Sequence, residues 1–450
     1  LQLTAYALPS IPMAAVGLPL LVHIPPFYVS QMGLSLELVG FLFMIARFWD
    51  VFTDPVLGIL SDRFETRWGR RRHWMVASVP LLMISVYMLF WPEKGISGFY
   101  MAFWLFALYA GWTLLTISHS SWGAELTGDY HERNKVQGTR EIAGVTGVII
   151  VLVLPIFIDF FVEEDVEAKR IQIMGLFMMV FLPLAIWFAV TRVGERPTPR
   201  PSHITFRSAV EALVQNKALR IILAADILLG ISFGMHSGTF LFLCTHVLNL
   251  GNMSGIFLLC YVGSGIAFIP IVLKISLKWD KHKLASRLML LGAASVVPIL
   301  LLPPGNVPLA LICFTLFGIT SSSSSFIFRS MVADVADQDA VETGQQRTGL
   351  YYSVVSMTSK VGGAIAIWIS YSLLAIIGFD PTGVNSPEAL SGLRLIYAGP
   401  TVISCGLAFI FFKFYTLTED VQVANRDILN ERAVHAIAEG LEDITHEPAD

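Results

Sequence analysis

The chain has 450 residues, 55% hydrophobic and only 14% charged, with a net charge of −4 and a mean hydropathy of +0.66. Soluble domains carry about 25% charged residues, so this apolar content excludes folding around one water-soluble core and implies an integral membrane protein. The small net charge gives no basis for nucleic-acid binding, and Cys244, Cys260, Cys313 and Cys405 lie in apolar runs without metal-ligand spacing.

The apolar runs are about 20 residues long and do not alternate with period two, which predicts helices rather than a barrel. Twelve spans are expected, at 8–30, 37–62, 74–92, 97–125, 140–163, 171–192, 218–247, 253–278, 285–302, 307–333, 347–378 and 391–414. The first reads as a span rather than a signal peptide, because further spans follow and no small-residue cleavage site is evident. The expected organisation is a six-helix bundle over 1–192, a central loop over 193–217, a second six-helix bundle over 218–416 and a tail over 417–450. The central loop holds GERPTPRPSH and an amphipathic piece at 204–214. In the tail, Val421, Val423, Ile428, Leu429, Val434, Ile437 and Leu441 recur at near-helical spacing.

Bases concentrate in alternate loops: Arg63, Arg67, Arg70, Arg71 and Arg72; Arg133 and Lys135; Arg196, Arg200 and Arg207; Lys278, Lys281 and Lys283. The positive-inside rule puts these loops and both termini in the cytoplasm.

The most informative stretch is 41–74. Arg47, Asp50 and Asp54 interrupt an apolar run at spacings that share one helix face. An ionised carboxylate at a helix centre costs at least a few kcal/mol, so such groups face a bundle interior or aqueous cavity. Two carboxylates one turn apart make an oxygen-rich half-site for Na⁺ or a seat for a proton; alternatively Arg47 neutralises Asp50 and the stripe only packs helices. Gly58, Asp62 and Arg63, followed by Gly69, Arg70, Arg71 and Arg72, read as a gate. Gly58 would let helices approach closely, and Asp62 would pair with bases or cap a helix end. Lys360, in SMTSKVGGAIA, needs an anionic partner, with Asp50 or Asp54 the candidates, unless it snorkels to water.

Gly58–Arg63 with Gly69–Arg72 resembles the signature of the major facilitator superfamily, lengthened by Glu65–Trp68. With Arg47–Pro55 it resembles the glycoside–pentoside–hexuronide:cation symporter family. Trp122, Arg140, Asp334 to Asp337, Gly344 to Tyr352 around Arg347, and Ser356 with Lys360 extend the likeness over most of the chain. The resemblance implies an all-α membrane protein of twelve helices in two bundles, with alternating access and cation-coupled uptake. It maps the cation site onto Asp50 and Asp54, with Lys360 and Ser356 beside it.

The acids that hold sugar hydroxyls in that family fall here near Ala14 and at Ser118, so both carboxylates are absent. Trp122 could stack on a sugar face, and Arg140 could bind a carboxylate bidentately or pair with Glu141. Loss of acids with retention of bases suits a uronide. His23, His119, His236 and Asp226 complete the substrate candidates; each histidine could carry protons or simply bond a neighbouring carbonyl. The five serines Ser321 to Ser325 suit close packing or a polar cavity wall. The expected protein is a bacterial inner-membrane symporter, not an enzyme, acting as a monomer on a small-molecule substrate within the lipid bilayer. It needs no cofactor beyond a coupling Na⁺ or H⁺. A lysolipid or amphiphile carrier of the same fold is the alternative, and a non-transporting receptor or enzyme a remote one.

Overall fold

A computed structural model describes residues 2–64, 66–126, 130–161, 165–195, 216–276, 278–344 and 348–445. Within them the protein is helical, with one isolated bridge between Thr66 and Gly69. In chain order the helices are α1 (Gln2–Ser30), α2 (Leu36–Arg63), α3 (Arg72–Phe90), α4 (Gly98–Glu125), α5 (Tyr130–Phe161), α6 (Val166–Arg192), α7 (Lys217–Val247), α8 (Ser254–Ser276), α9 (Lys281–Leu301), α10 (Val307–Thr343), α11 (Thr348–Ile376), α12 (Pro387–Phe412) and α13 (Glu419–Thr445).

Eleven of these are long and apolar enough to cross a membrane. The exception among the expected spans is α2, whose 28 residues would extend about 42 Å, but whose centre carries Arg47, Asp50 and Asp54. Polar caps start several helices. Ser35, Ser97, Asn216, Asn306 and Ser386 each accept a backbone N–H three residues on, supplying partners for first-turn donors. Prolines break α1 into shorter pieces with a π-turn at Pro19–His23, since proline removes a helical donor and crowds the preceding turn.

Two helices run well past the expected spans. α5 begins at Tyr130 rather than 140, and α10 continues to Thr343 rather than 333. Apolar content marks where a helix crosses lipid, not where it ends. The extension of α10 buries Asp334, whose two carboxylate oxygens each lie 2.7 Å from Lys281 Nζ. It stops at Gly344, a left-handed C-cap.

In the first set of helices α1 packs on α5, α4 on α2 and α3, and α6 on α3 and α5. In the second, α7 packs on α11 and α12, α8 on α10, and α9 on α10 and α12. The sets meet through α2 with α11, α5 with α8, and the π-turn of α1 with α7. At the base-poor end α2 and α11 close tightly. A Cβ on Gly40 would come within 3.0 Å of Tyr371 Cβ and 3.1 Å of Trp368 Cα. At the basic end a Cβ on Gly58 would meet nothing within 4 Å. The close approach expected at Gly58 is therefore found about five turns away, at Gly40, because the sets part toward the basic end. The segment 204–214, with Arg196, Arg200, Arg207 and Arg347, lies outside the described residues.

Candidate functional site

The helical period puts Arg47, Asp50 and Asp54 on one face of α2, and the fold turns that face toward α11. Lys360 Nζ lies 2.9 Å from Asp50 Oδ2 and 2.5 Å from Asp54 Oδ2. One ammonium thus bridges both carboxylates and ties the first set of helices to the second. Asp50 is buried, its side chain 2% exposed, whereas Asp54 is 33% exposed. Thr113 of α4 donates to Asp50 Oδ1 at 2.5 Å. The Arg47 guanidinium lies 4.0 Å from Asp50 Oδ2 and over the ring of Tyr109, 4.9 Å from its centroid. Two cations face two anions, so the cluster is formally neutral, which lowers the cost of holding it within a membrane. Two carboxylates and a threonine hydroxyl form an oxygen set suited to a small hard cation or a proton, with the lysine competing for the same oxygens. Ser356 is exposed one turn from Lys360, and Thr113 supplies the hydroxyl at the carboxylates. Sequence gave no sign of Thr113 or Tyr109, since a threonine and a tyrosine inside an apolar helix have many uses.

The cluster opens into a cavity of about 1090 Å³. Its first wall includes Arg47 and Glu141. The opposite wall is built by α7, α8, α10 and α11, including Asp226, Ser232, His236, Tyr261, Ser321 and Arg329. Asp226 accepts from Thr358 Oγ1 at 3.0 Å and Ser359 Oγ at 2.7 Å. Ser232 shares a 2.6 Å hydrogen bond with Thr401. The serine run of α10 divides by face. Ser323 and Ser324 bond back to Ile319 O and Thr320 O, and all but Ser323 line the cavity. Beside them Gly318 lets α8 approach so closely that a Cβ there would collide with Tyr261 O.

The remaining expected substrate residues sit elsewhere. His119 and Trp122 are fully buried beside α1. His119 stacks on Tyr6, centroids 4.5 Å apart, and its Nε2 lies 2.8 Å from Tyr6 O. Trp122 meets the same ring edge-on. Ser118 is buried with no hydrogen-bond partner among the described residues. Arg140 donates to Ser120 Oγ at 3.0 Å and lies 3.9 Å from Glu141. His23 lines a separate small cavity with Glu167 and Arg170 at the base-poor end.

The gate residues brace the first set of helices internally. Arg70 and Arg71 reach Glu125 Oε1 at 2.7 and 2.8 Å, and Arg71 also donates to Ser61 Oγ at 2.9 Å. The backbone N–H groups of Arg70, Arg71 and Arg72 converge on the Glu195 carboxylate at 2.5, 2.8 and 2.5 Å. Gly69, at φ +105°, permits this nest; a Cβ there would strike the same carboxylate. The side chains of Asp62 and Arg63 lie outside the described residues. At the opposite end buried Arg170 of α6 crosses between the sets, donating to Gly251 O at 3.2 Å and Ser254 Oγ at 3.4 Å.

Residues 5–419 match the family described as MFS/sugar transport protein. The glucuronide carrier protein homolog of Escherichia coli (strain K12) is 24% identical over 428 residues, covering 91% of this chain and 92% of that protein. The isoprimeverose transporter of Lactiplantibacillus pentosus is 23% identical over 405 residues, 86% of this chain and 83% of that protein. Among solved structures, the nucleoside transporter NupG superposes with a TM-score of 0.67 at 14% identity, covering 92% of this chain and 99% of its own. A bacterial homolog of the human lysosomal transporter Spinster, inward-facing and unoccupied, gives 0.62 at 12% identity, covering 95% and 96%. At such identities these two likenesses speak to the fold alone. A many-helix membrane fold with a cavity between two helix sets, matched over most of its length by this family, makes the chain a member of the MFS/sugar transport protein family.

Proposed function

We propose that the protein carries a glycoside or acidic sugar across a bacterial inner membrane, coupled to Na⁺ or H⁺ bound at Asp50 and Asp54. On this reading α2 is a twelfth span, the bundles meet across 193–217, the 417–450 tail follows, and the transporter works as a monomer. The basic loops face the cytoplasm, so a cavity parted at the basic end and closed at Gly40 is open inward. Names of similar proteins, including a putative glycoside/cation symporter and an inner membrane symporter of Escherichia coli (strain K12), support the class.

The observation that carries the coupling is Lys360 Nζ at 2.9 and 2.5 Å from the two carboxylates. The coupling cation and the ammonium need the same oxygens. With no cation, Lys360 neutralises the aspartates and ties α2 to α11. A cation or proton on Asp54, the more exposed carboxylate, weakens that tie and frees the two helices to move past one another. Transport then follows alternating access about a site between the two halves.

The test is uptake of glycosides and uronides into proteoliposomes with an imposed Na⁺ or pH gradient. Wild type is expected to concentrate substrate only with one gradient. Asp54→Asn should abolish accumulation while leaving the protein folded. Uptake indifferent to both gradients, or unchanged coupling in the variant, would refute the assignment. Stabilisation by lysolipids in preference to glycosides would favour an amphiphile carrier.

A further inference from the structure

The cavity has two chemically different walls. The α2 side carries Arg47, Asp50 and Asp54, balanced by Lys360 from α11, with Glu141 of α5 beside them. The α10 side carries hydroxyls and one cation without an ion-pair partner among the described residues. Ser321, Ser325 and Arg329 are four residues apart and all face the cavity, as the helical repeat requires for one stripe.

Three observations give this stripe the character of a binding surface. Tyr261 donates its hydroxyl hydrogen to Ser321 Oγ at 2.9 Å, which leaves the Ser321 hydrogen for another acceptor. His236, 5% exposed, lines the cavity with Nε2 3.5 Å from the same Tyr261 oxygen. Its Nδ1 has no hydrogen-bond partner among the described residues, and aromatic edges from Phe233, Phe317 and Tyr397 surround its ring. Arg329 is exposed to the cavity. The acid whose charge it feels, Asp226, already accepts from Thr358 and Ser359. Its planar fork matches a carboxylate in two parallel hydrogen bonds.

We propose that Arg329 is the specificity-determining anion anchor of the transporter, binding the carboxylate of an acidic glycoside. The Tyr261–Ser321 pair would receive the ring hydroxyls, with His236 and its aromatic neighbours behind them. Eight residues of helix separate Ser321 from Arg329, about 12 Å along the axis. The arginine side chain shortens that gap to a length suited to one or two sugar rings. Arg140 is already bonded to Ser120 and beside Glu141, off the cavity wall. This assignment rests on the reading of the protein as a glycoside transporter and adds how it selects among glycosides.

The experiment compares p-nitrophenyl β-glucuronide with p-nitrophenyl β-glucoside, which differ at the C6 carboxylate, in proteoliposomes holding the full chain. Wild type is expected to prefer the glucuronide. Arg329→Gln should raise KM for the glucuronide about tenfold or more, the loss of a charge-assisted pair. KM for the glucoside should stay within about twofold, so the preference collapses while glucoside uptake reports an intact protein. Arg329→Lys keeps charge without the fork, should lose part of the preference, and serves if the glutamine variant does not insert. Ser321→Ala should raise KM for both compounds together. If wild type prefers the glucuronide and both Arg329 variants retain that preference, the anchor is wrong and the transporter reading survives. If wild type neither carries nor is thermally stabilised by either compound, the glycoside reading and the anchor fall together.

Discussion

At the scale of single residues, the charge cluster shows what an unlikely position reveals. Arg47, Asp50, Asp54 and Lys360 were legible because charge in an apolar run needs a compensating partner, and few partners of opposite sign were available. Their helper was not legible. Thr113 is one of many hydroxyls in apolar helices, and only the fold aims it at Asp50 Oδ1. Its removal leaves a buried carboxylate with one donor fewer, which costs about 1–3 kcal/mol. Thr113→Val is expected to lower thermal stability and change the cation concentration that half-saturates uptake, whereas Thr113→Ser should restore both. Equal stability and equal cation dependence in the valine variant would show that the hydroxyl bond contributes nothing. His119 and Trp122 show the converse difficulty. Both are candidates for the substrate wall by sequence, yet the fold turns them onto Tyr6, where His119 meets a neighbouring carbonyl as its other reading allows. A helical period gives relative faces, not which face meets the substrate.

At the scale of elements, apolar runs located the helices but not their polar ends. The ten further residues of α10 form a docking stem for the tail. Arg432 of α13 donates to Ala340 O and Val341 O at 3.1 and 3.0 Å, in the last turn of α10, where Ala340 O also accepts the Gly344 N–H. Asn425 is buried, while Val421, Val423 and Ile428 remain exposed. The described part of the dock thus includes the polar Arg432 contacts, with Val421, Val423 and Ile428 on the outside. Arg432→Ala should release α13, seen as faster amide exchange over 419–432 with unchanged exchange in α8. Acid should loosen the same helix. Asp280 accepts the Glu419 backbone N–H, and Lys283 beside it holds its carboxyl below the ordinary carboxylate range. A lowered folded-state value means that this contribution is complete above the unfolded value, about 3.9, and is lost as pH falls through the folded one. Exchange over 419–432 should be indifferent to Asp280→Asn below that range and sensitive to it at neutral pH. Equal behaviour of wild type and variant at both pH values would remove Asp280 from the dock.

At the scale of the whole molecule, three ties between the helix sets are distributed unequally along the membrane normal. Lys360 links α11 to α2 near the middle, whereas Gly40 packing and the Arg170 bonds lie toward the base-poor end. No tie of this kind joins the sets at Gly58 among the described residues, and the basic loop there spends its hydrogen bonds within the first set. The asymmetry predicts which perturbation shifts the conformational balance. Arg170→Gln weakens two hydrogen bonds that exist only while the base-poor end is closed, so it removes free energy from this state and none from its opposite. Spin labels at Lys94 and Val384, on loops at that end of the two sets, should show a longer distance population in the variant than in wild type. Adding Asp54→Asn should lengthen that population further, because it weakens the central tie that α2 shares with α11. A distance distribution unmoved by Arg170→Gln would mean that helix packing around Gly40 alone holds the outer end shut. In that case Gly40→Leu, which cannot fit against Trp368 and Tyr371, should produce the opening that the arginine variant did not.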